Sequence, residues 1–156
     1  MSFYDAIINI KNLVTGGSAK VLLEIDSAKR DKPFNITMRV IVADEKLEIE
    51  GAYLIIQSVE DIRMPNNHAP IKDAEGFKKK EIVSSHTVTS EQKIEISEKL
   101  ELEGNEEYVW NAIAELSPNN QPAYEGKYCK HHYRAKAYID CYGNDPDSGW
   151  IKLDIH

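Results

Sequence analysis

Cysteine is scarce in this chain: Cys129 and Cys141 are the whole supply, and both sit in one run, YCKHHYRAKAYIDCYG, residues 128–143. Two cysteines are too few for the disulfide framework that staples small secreted domains. Long apolar runs are missing as well, and no stretch approaches the roughly 20 apolar residues a helix needs to span a bilayer. The first residues carry no basic region ahead of an apolar stretch, so no secretion signal is expected and the cytoplasm is the default compartment. Basic charge is in deficit: 19 Lys and Arg stand against 26 Asp and Glu, for a net charge of −7. That balance argues against a nucleic-acid-binding face, which is normally basic. The densest basic run, Lys78-Lys79-Lys80, is flanked by Glu75 and Glu81 and reads as a solvated stretch. There is also no G-x-S-x-G, no P-loop and no dinucleotide fingerprint.

What is present is ordinary globular material. The chain has 156 residues, 42% hydrophobic and 29% charged, enough for one domain to bury a core without staples. In MSFYDAIINIKNLVTGG, Ser2 and Asp5 resemble a capping box, and Phe3, Ile7, Ile10 and Val14 recur at helical spacing before Gly16-Gly17. A short amphipathic helix over 3–14 is expected there, with a strand as the alternative. After the glycines the period changes to two. Val21, Leu23 and Ile25 alternate with Lys20, Glu24 and Asp26, and Phe34, Ile36, Met38, Val40 and Val42 form a second series. A long strand follows from Leu47 to Val59, with a bend expected at Gly51. RMPNNHAPIKDAEGF, residues 63–77, has two prolines and a glycine and reads as the longest loop. Strands resume in EIVSSHTVTS and QKIEISEKLEL, and Tyr108, Trp110, Ala112, Ala114 and Leu116 share one face of YVWNAIAEL. Trp110 and Ile139 are expected in the core. The rhythm predicts an all-β, immunoglobulin-like antiparallel sandwich of about seven to eight strands with one N-terminal helix.

The cysteine-histidine run is the strongest chemical candidate, and alternation sorts it. Cys129, His131, Tyr133, Ala135, Ala137, Ile139 and Cys141 fall on one face, which becomes apolar; Lys130, His132, Arg134, Lys136, Tyr138 and Asp140 fall on the other, charged one. His131 and His132 then point to opposite sides and cannot share an ion. Cys141 lies about 40 Å from Cys129 along an ideal strand, too far for a shared metal site or a disulfide. Cys129 also lacks a base placed by the strand itself, so a nucleophile is not expected. No catalytic, cofactor-binding or metal-ligating residue is therefore assigned. NDPDSG has the acidic spacing of a calcium loop but lacks its glycine and distal glutamate, and reads as a turn.

Three stretches carry a family resemblance: MSFYDAIINI…GGSAKVLLEID, GAYLIIQSVEDI, and the run from YVWNAIAELSPNNQP to WIKLDI, where Ser117-Pro118, Pro122, Tyr133, Ala135 and Ala137 hold recurring places. Through them the chain resembles the arrestin N-terminal-domain superfamily and, within it, the bacterial sporulation-control proteins with an arrestin-like lobe. The resemblance implies one arrestin-like β-sandwich domain over 1–156 that binds other proteins, with no catalytic residues to carry over. Family members usually continue into a second lobe, whereas this chain ends just past WIKLDI, and its first connection, SAKRDKP, lacks the usual glycine.

The expected function is thus a non-catalytic protein-interaction module, a cytoplasmic adaptor or regulator. A protein partner is expected and, because a single lobe leaves open sheet edges, also a homodimer through an edge strand or the N-terminal helix. The alternative is a carbohydrate-type binding sandwich using Tyr124, Tyr128, Tyr138 and Tyr142. A third reading is an enzyme pairing Cys129 with His131 or His86.

Overall fold

Alternation becomes strand throughout the part of the chain that the computed structural model describes: residues 17–72, 78–143 and 145–155, with side chains outside 66–82. The segment read as helix 3–14 lies outside the described residues. In order the strands are β1 (Ala19–Ile25), β2 (Phe34–Val42), β3 (Leu47–Lys72), β4 (Lys78–Ser97), β5 (Leu100–Leu102), β6 (Glu107–Ala114), β7 (Tyr124–Glu125), β8 (Cys129–Cys141) and β9 (Ile151–Leu153). One sheet runs β1-β2-β6; the other runs β4-β3-β8-β7, with β5 added to β3 and β9 to β8. Every named pairing is antiparallel. The all-β sandwich expected from the alternation stands, with nine strands among the described residues. Three of them (β5, β7 and β9) are edge pieces of two or three residues that a two-residue rhythm hardly marks.

The inner faces of the two sheets meet in one core. Ile36, Met38 and Val40 of β2 pack with Leu54 and Ile56 of β3 and with Ala135, Ala137 and Ile139 of β8, all of them buried. The small alanines of β8 let the opposing sheet approach closely, and burial of these apolar groups is the main favourable term in folding. Between the sheets' ends, the 103–106 turn presses on the 43–46 turn: Asn105 N–H donates to Ala43 O at 2.7 Å. A Cβ at Gly104 would run into the Asp44 backbone carbonyl, so only glycine fits this approach.

Two expectations need correction. Residues 63–72 are not loop but the continuation of β3, paired with β4 as far as Lys72↔Lys78 across an irregularity between Asn66 and Ile71. Pairing of β3 with β8 stops at Ile62↔Cys129, so from Arg63 onward β3 and β4 form a two-stranded ribbon. Arg63 N–H donates to Tyr128 O at 2.8 Å, which turns alternate backbone groups of β3 towards that vacated edge. Pro65, two residues on, therefore faces an edge where its missing N–H breaks no ladder bond. The second correction concerns Trp110. Ile139 is fully buried, but Trp110 is only partly buried and stacks on Tyr108 with centroids 6.0 Å apart. It has the right face but sits on β6, the outer strand of a three-stranded sheet, where one flank has no paired strand among the described residues. The bend at Gly51 is present as register shifts on both sides of it.

Replacement of Ile139 by alanine should cost about 2–5 kcal/mol, whereas Trp110→Ala should cost less than about 3 kcal/mol because its indole is only partly buried in the native state. Urea unfolding of both variants checks the order; a larger loss for Trp110→Ala would mean that the indole carries core packing after all.

Candidate functional site

The cysteine-histidine run is β8, the strand between β3 and the β7/β9 edge, and its burial alternates along the whole length. The two faces are those expected from the sequence, and His131 and His132 do point to opposite sides.

On the inner face His131 is 1% exposed, and both ring nitrogens are engaged. Nε2 is 2.8 Å from Thr89 Oγ1 and Nδ1 is 3.0 Å from Pro122 O. Thr89 is the extra residue of a bulge, since the β3–β4 register slips between Ser58↔Ser90 and Val59↔Val88. Its hydroxyl also meets Ser58 Oγ at 2.8 Å, and Ser58 bonds Ser90 in turn. Tyr133 donates its hydroxyl to Gln121 O at 2.5 Å, and Tyr124 stacks on His131. These contacts strap the 117–125 connection across the end of the core. Each satisfies a buried polar group that would otherwise be costly. His131 is a structural anchor.

Cys129 is half-buried, with its Sγ 3.2 Å from the Tyr124 hydroxyl. That hydroxyl is pushed up to about 12, first by the bond to Cys129 and then by burial and the charge of Glu60, so it stays a neutral donor near neutrality. Cys141 ends the strand at its far side, and burial pushes its thiol up. No close cysteine–histidine pair forms among these groups, because His131 is committed to Thr89 and Pro122 while His86 bonds Asp61. Three of the four tyrosines of the alternative reading do not gather either. Tyr124 lies against His131, Tyr138 pairs with Tyr53 on the outer face, and Tyr142 is fully exposed. Among the described residues no group of three or more His, Cys, Asp or Glu is placed to hold a metal ion.

The outer face of β4, β3 and β8 holds what spacing alone could not show: rungs of side chains across three strands. Arg134 donates Nε and Nη2 to Gln57 Oε1 at 3.0 and 2.8 Å, and Gln57 donates Nε2 to Glu91 Oε2 at 2.6 Å. Tyr53 and Tyr138 pair at 5.4 Å, with Lys93 4.2 Å above the Tyr53 ring. Asp61 stands between two histidines, 2.5 Å from His86 Nδ1 and 3.6 Å from His132 Nδ1. Desolvation works to raise the Asp61 carboxyl, but the hydrogen bond and charge of His86, aided by His132 and Lys130, hold it below its ordinary value. Burial pushes His132 down; Asp61 opposes that shift, and Lys130, Arg134 and Lys152 reinforce it. The direct signal for these rungs is the cross-strand register: Gln57 faces Arg134 on one side and Glu91 on the other, and Asp61 faces Lys130 and His86.

With the two sheets and the β8 faces in place, the chain can be set beside known structures. The chain is similar to the crystal structure of Spo0M, a sporulation control protein from Bacillus subtilis, at TM-score 0.61 and 14% identity over 90% of this chain and 50% of that one. The chain has the fold of Spo0M. At this identity the likeness is one of fold alone, and the chain spans half the length of Spo0M. The resemblance to sporulation-control proteins carried by the three sequence stretches thus has its counterpart in three dimensions. Two further solved structures, a structural-genomics target named SoR45 (11% identity, 91% of this chain and 90% of that one, TM-score 0.32) and CsgH of R. palustris (11%, 81% and 87%, TM-score 0.19), are too distant in shape to support an argument. No family model matches the chain, and no curated protein does.

The depressed values of His132 and Asp61 have a signed consequence. Both groups bind protons more weakly in the folded chain than in the unfolded one, so their contribution to stability is complete above neutrality. It begins to be lost as pH falls through the ordinary histidine value of 6.5, and falls further below the ordinary carboxyl value of 3.8. Urea midpoints should therefore decline between about pH 7 and 5. His132→Gln should flatten that decline; an unchanged slope in the variant would remove His132 from the account.

Proposed function

We propose that the chain is a protein-interaction module, a cytoplasmic adaptor or regulator of arrestin-like type that works through its surfaces rather than by catalysis. The carrying observation is the fold shared with Spo0M, a protein described as controlling sporulation. The surface supports the reading in two places. On the β3–β4 ribbon, Met64 and Val83 are register partners and are 43% and 40% exposed, an apolar pair on a segment past the end of the β3–β8 pairing. On β6, an edge strand among the described residues, Val109 and Ile113 face away from the core and are 45% and 68% exposed. Apolar side chains grouped on an unpaired edge suit a protein interface. One occupant proposed for the β6 edge is a second copy of the chain, in a symmetric dimer.

Affinity capture from the source cell should recover a defined protein with the native chain and markedly less of it with Met64→Ser/Val83→Ser. Equal recovery on an unrelated β-sandwich would refute the module. Light scattering at micromolar concentration should give a dimer mass that Ile113→Lys reduces to a monomer; a monomer mass for the native chain would remove the dimer.

A further inference from the structure

The outer face of β8 and its neighbour β9 gathers positive charge on a chain whose net charge is −7. Lys130, His132, Arg134 and Lys136 follow one another on that face, and Lys152 of β9 stands opposite Arg134 in the register. Lys130, His132, Arg134 and Lys152 line a depression of about 240 Å³ together with Trp150, Ile151 and a single carboxylate, Glu125; Lys136 lies next along the strand. The Arg134 guanidinium lies 4.2 Å over the Trp150 ring and Lys136 Nζ lies 4.8 Å over it. Among the described residues none of Lys130, Arg134, Lys136 and Lys152 forms an ion pair, although carboxylates outnumber cations in the chain. His132 Nδ1 is buried and faces the Asp61 carboxylate at 3.6 Å, just beyond hydrogen-bond reach. Like charges held side by side repel, and that repulsion is relieved when an anion enters.

We propose that this row is a docking groove for an extended acidic segment of a partner protein. Side chains on one face of a strand recur at about 6.6–6.8 Å, and those of an extended peptide do the same. Alternate carboxylates of such a segment therefore match Lys130, Arg134 and Lys136 in step, with Lys152 reinforcing the centre. A single phosphate fits less well. The basic side chains are spread along the strand rather than converging on one point, as a single phosphate would need. A flat anionic membrane fits less well again, since the groove is concave and the same sheet face carries Glu91, Glu95 and Asp140. The groove deepens the reading of the chain as an interaction module and rests on it.

Trp150 reports on the groove directly. In full-length Trp110→Phe, its fluorescence is titrated with a short synthetic peptide alternating glutamate and threonine. The comparators are the glutamine counterpart, inorganic phosphate and phosphatidylglycerol vesicles. The glutamate peptide should titrate the signal and the glutamine peptide should not, and added salt should weaken binding. Lys152→Glu should weaken it about tenfold or more, while Lys99→Glu, the same charge change at a distant exposed site, should leave it unchanged. Thermal unfolding of both variants checks that they are folded. The groove is refuted if the glutamine peptide binds equally, if Lys99→Glu is as damaging as Lys152→Glu, or if phosphate or vesicles saturate the signal more readily than the peptide. Loss of peptide binding alongside successful affinity capture rejects the groove and leaves the module standing; failure of both rejects the two together.

Discussion

A slip of one residue between β8 and β3 would turn Tyr133, Ala135, Ala137 and Ile139 out to solvent and drive Lys130, Arg134 and Lys136 into the core. That register is the constraint from which the rest follows. It is pinned from both sides of the sheet. Inside, alanines and Ile139 fill the space under β2, and His131 and Tyr133 hold the 117–125 connection. Outside, Arg134 meets Gln57 and Tyr138 meets Tyr53, so the polar face also favours a single alignment. Core and charged surface are two readings of one pleat.

The bulge at Thr89 is the second device. By inserting one residue into β4 it turns a hydroxyl inward to His131 and re-phases the strand, so that His86 arrives opposite Asp61. Without it the ladder above Val59 would present the other set of side chains. Buried Ser58 and His131 are tolerable because exposed Thr89 and partly buried Ser90 satisfy their polar groups.

How much of this the sequence reveals depends on whether the cause is local. The sorting of β8 into two faces is local, and it could be read from the letters of residues 128–143. So could the two-sheet architecture, from alternation broken by turn residues. Trp110 shows the limit: its face follows from spacing, but its partial exposure follows from β6 being an outer strand, which spacing does not encode. Residues 63–72 show another, because two prolines resemble a loop unless it is known that β8 has already ended beside them. The basic groove joins residues 130–136 to Trp150 and Lys152, and the Asp61 rung joins three separate segments; both depend on strand order.

Pro65 has a bearing on what the ribbon can become. A hairpin whose outer edge lies open offers hydrogen-bonding groups to any passing strand, and such edges can seed end-to-side polymerisation. At Pro65 the edge of β3 that lacks a paired strand among the described residues presents no N–H, close to where β8 leaves it. A foreign strand adding there would gain one bond fewer just where it must begin, so the row discourages continuation of the sheet. The proline leaves the ribbon's side chains accessible while making its backbone a poor template, which separates recognition from aggregation on the same two strands.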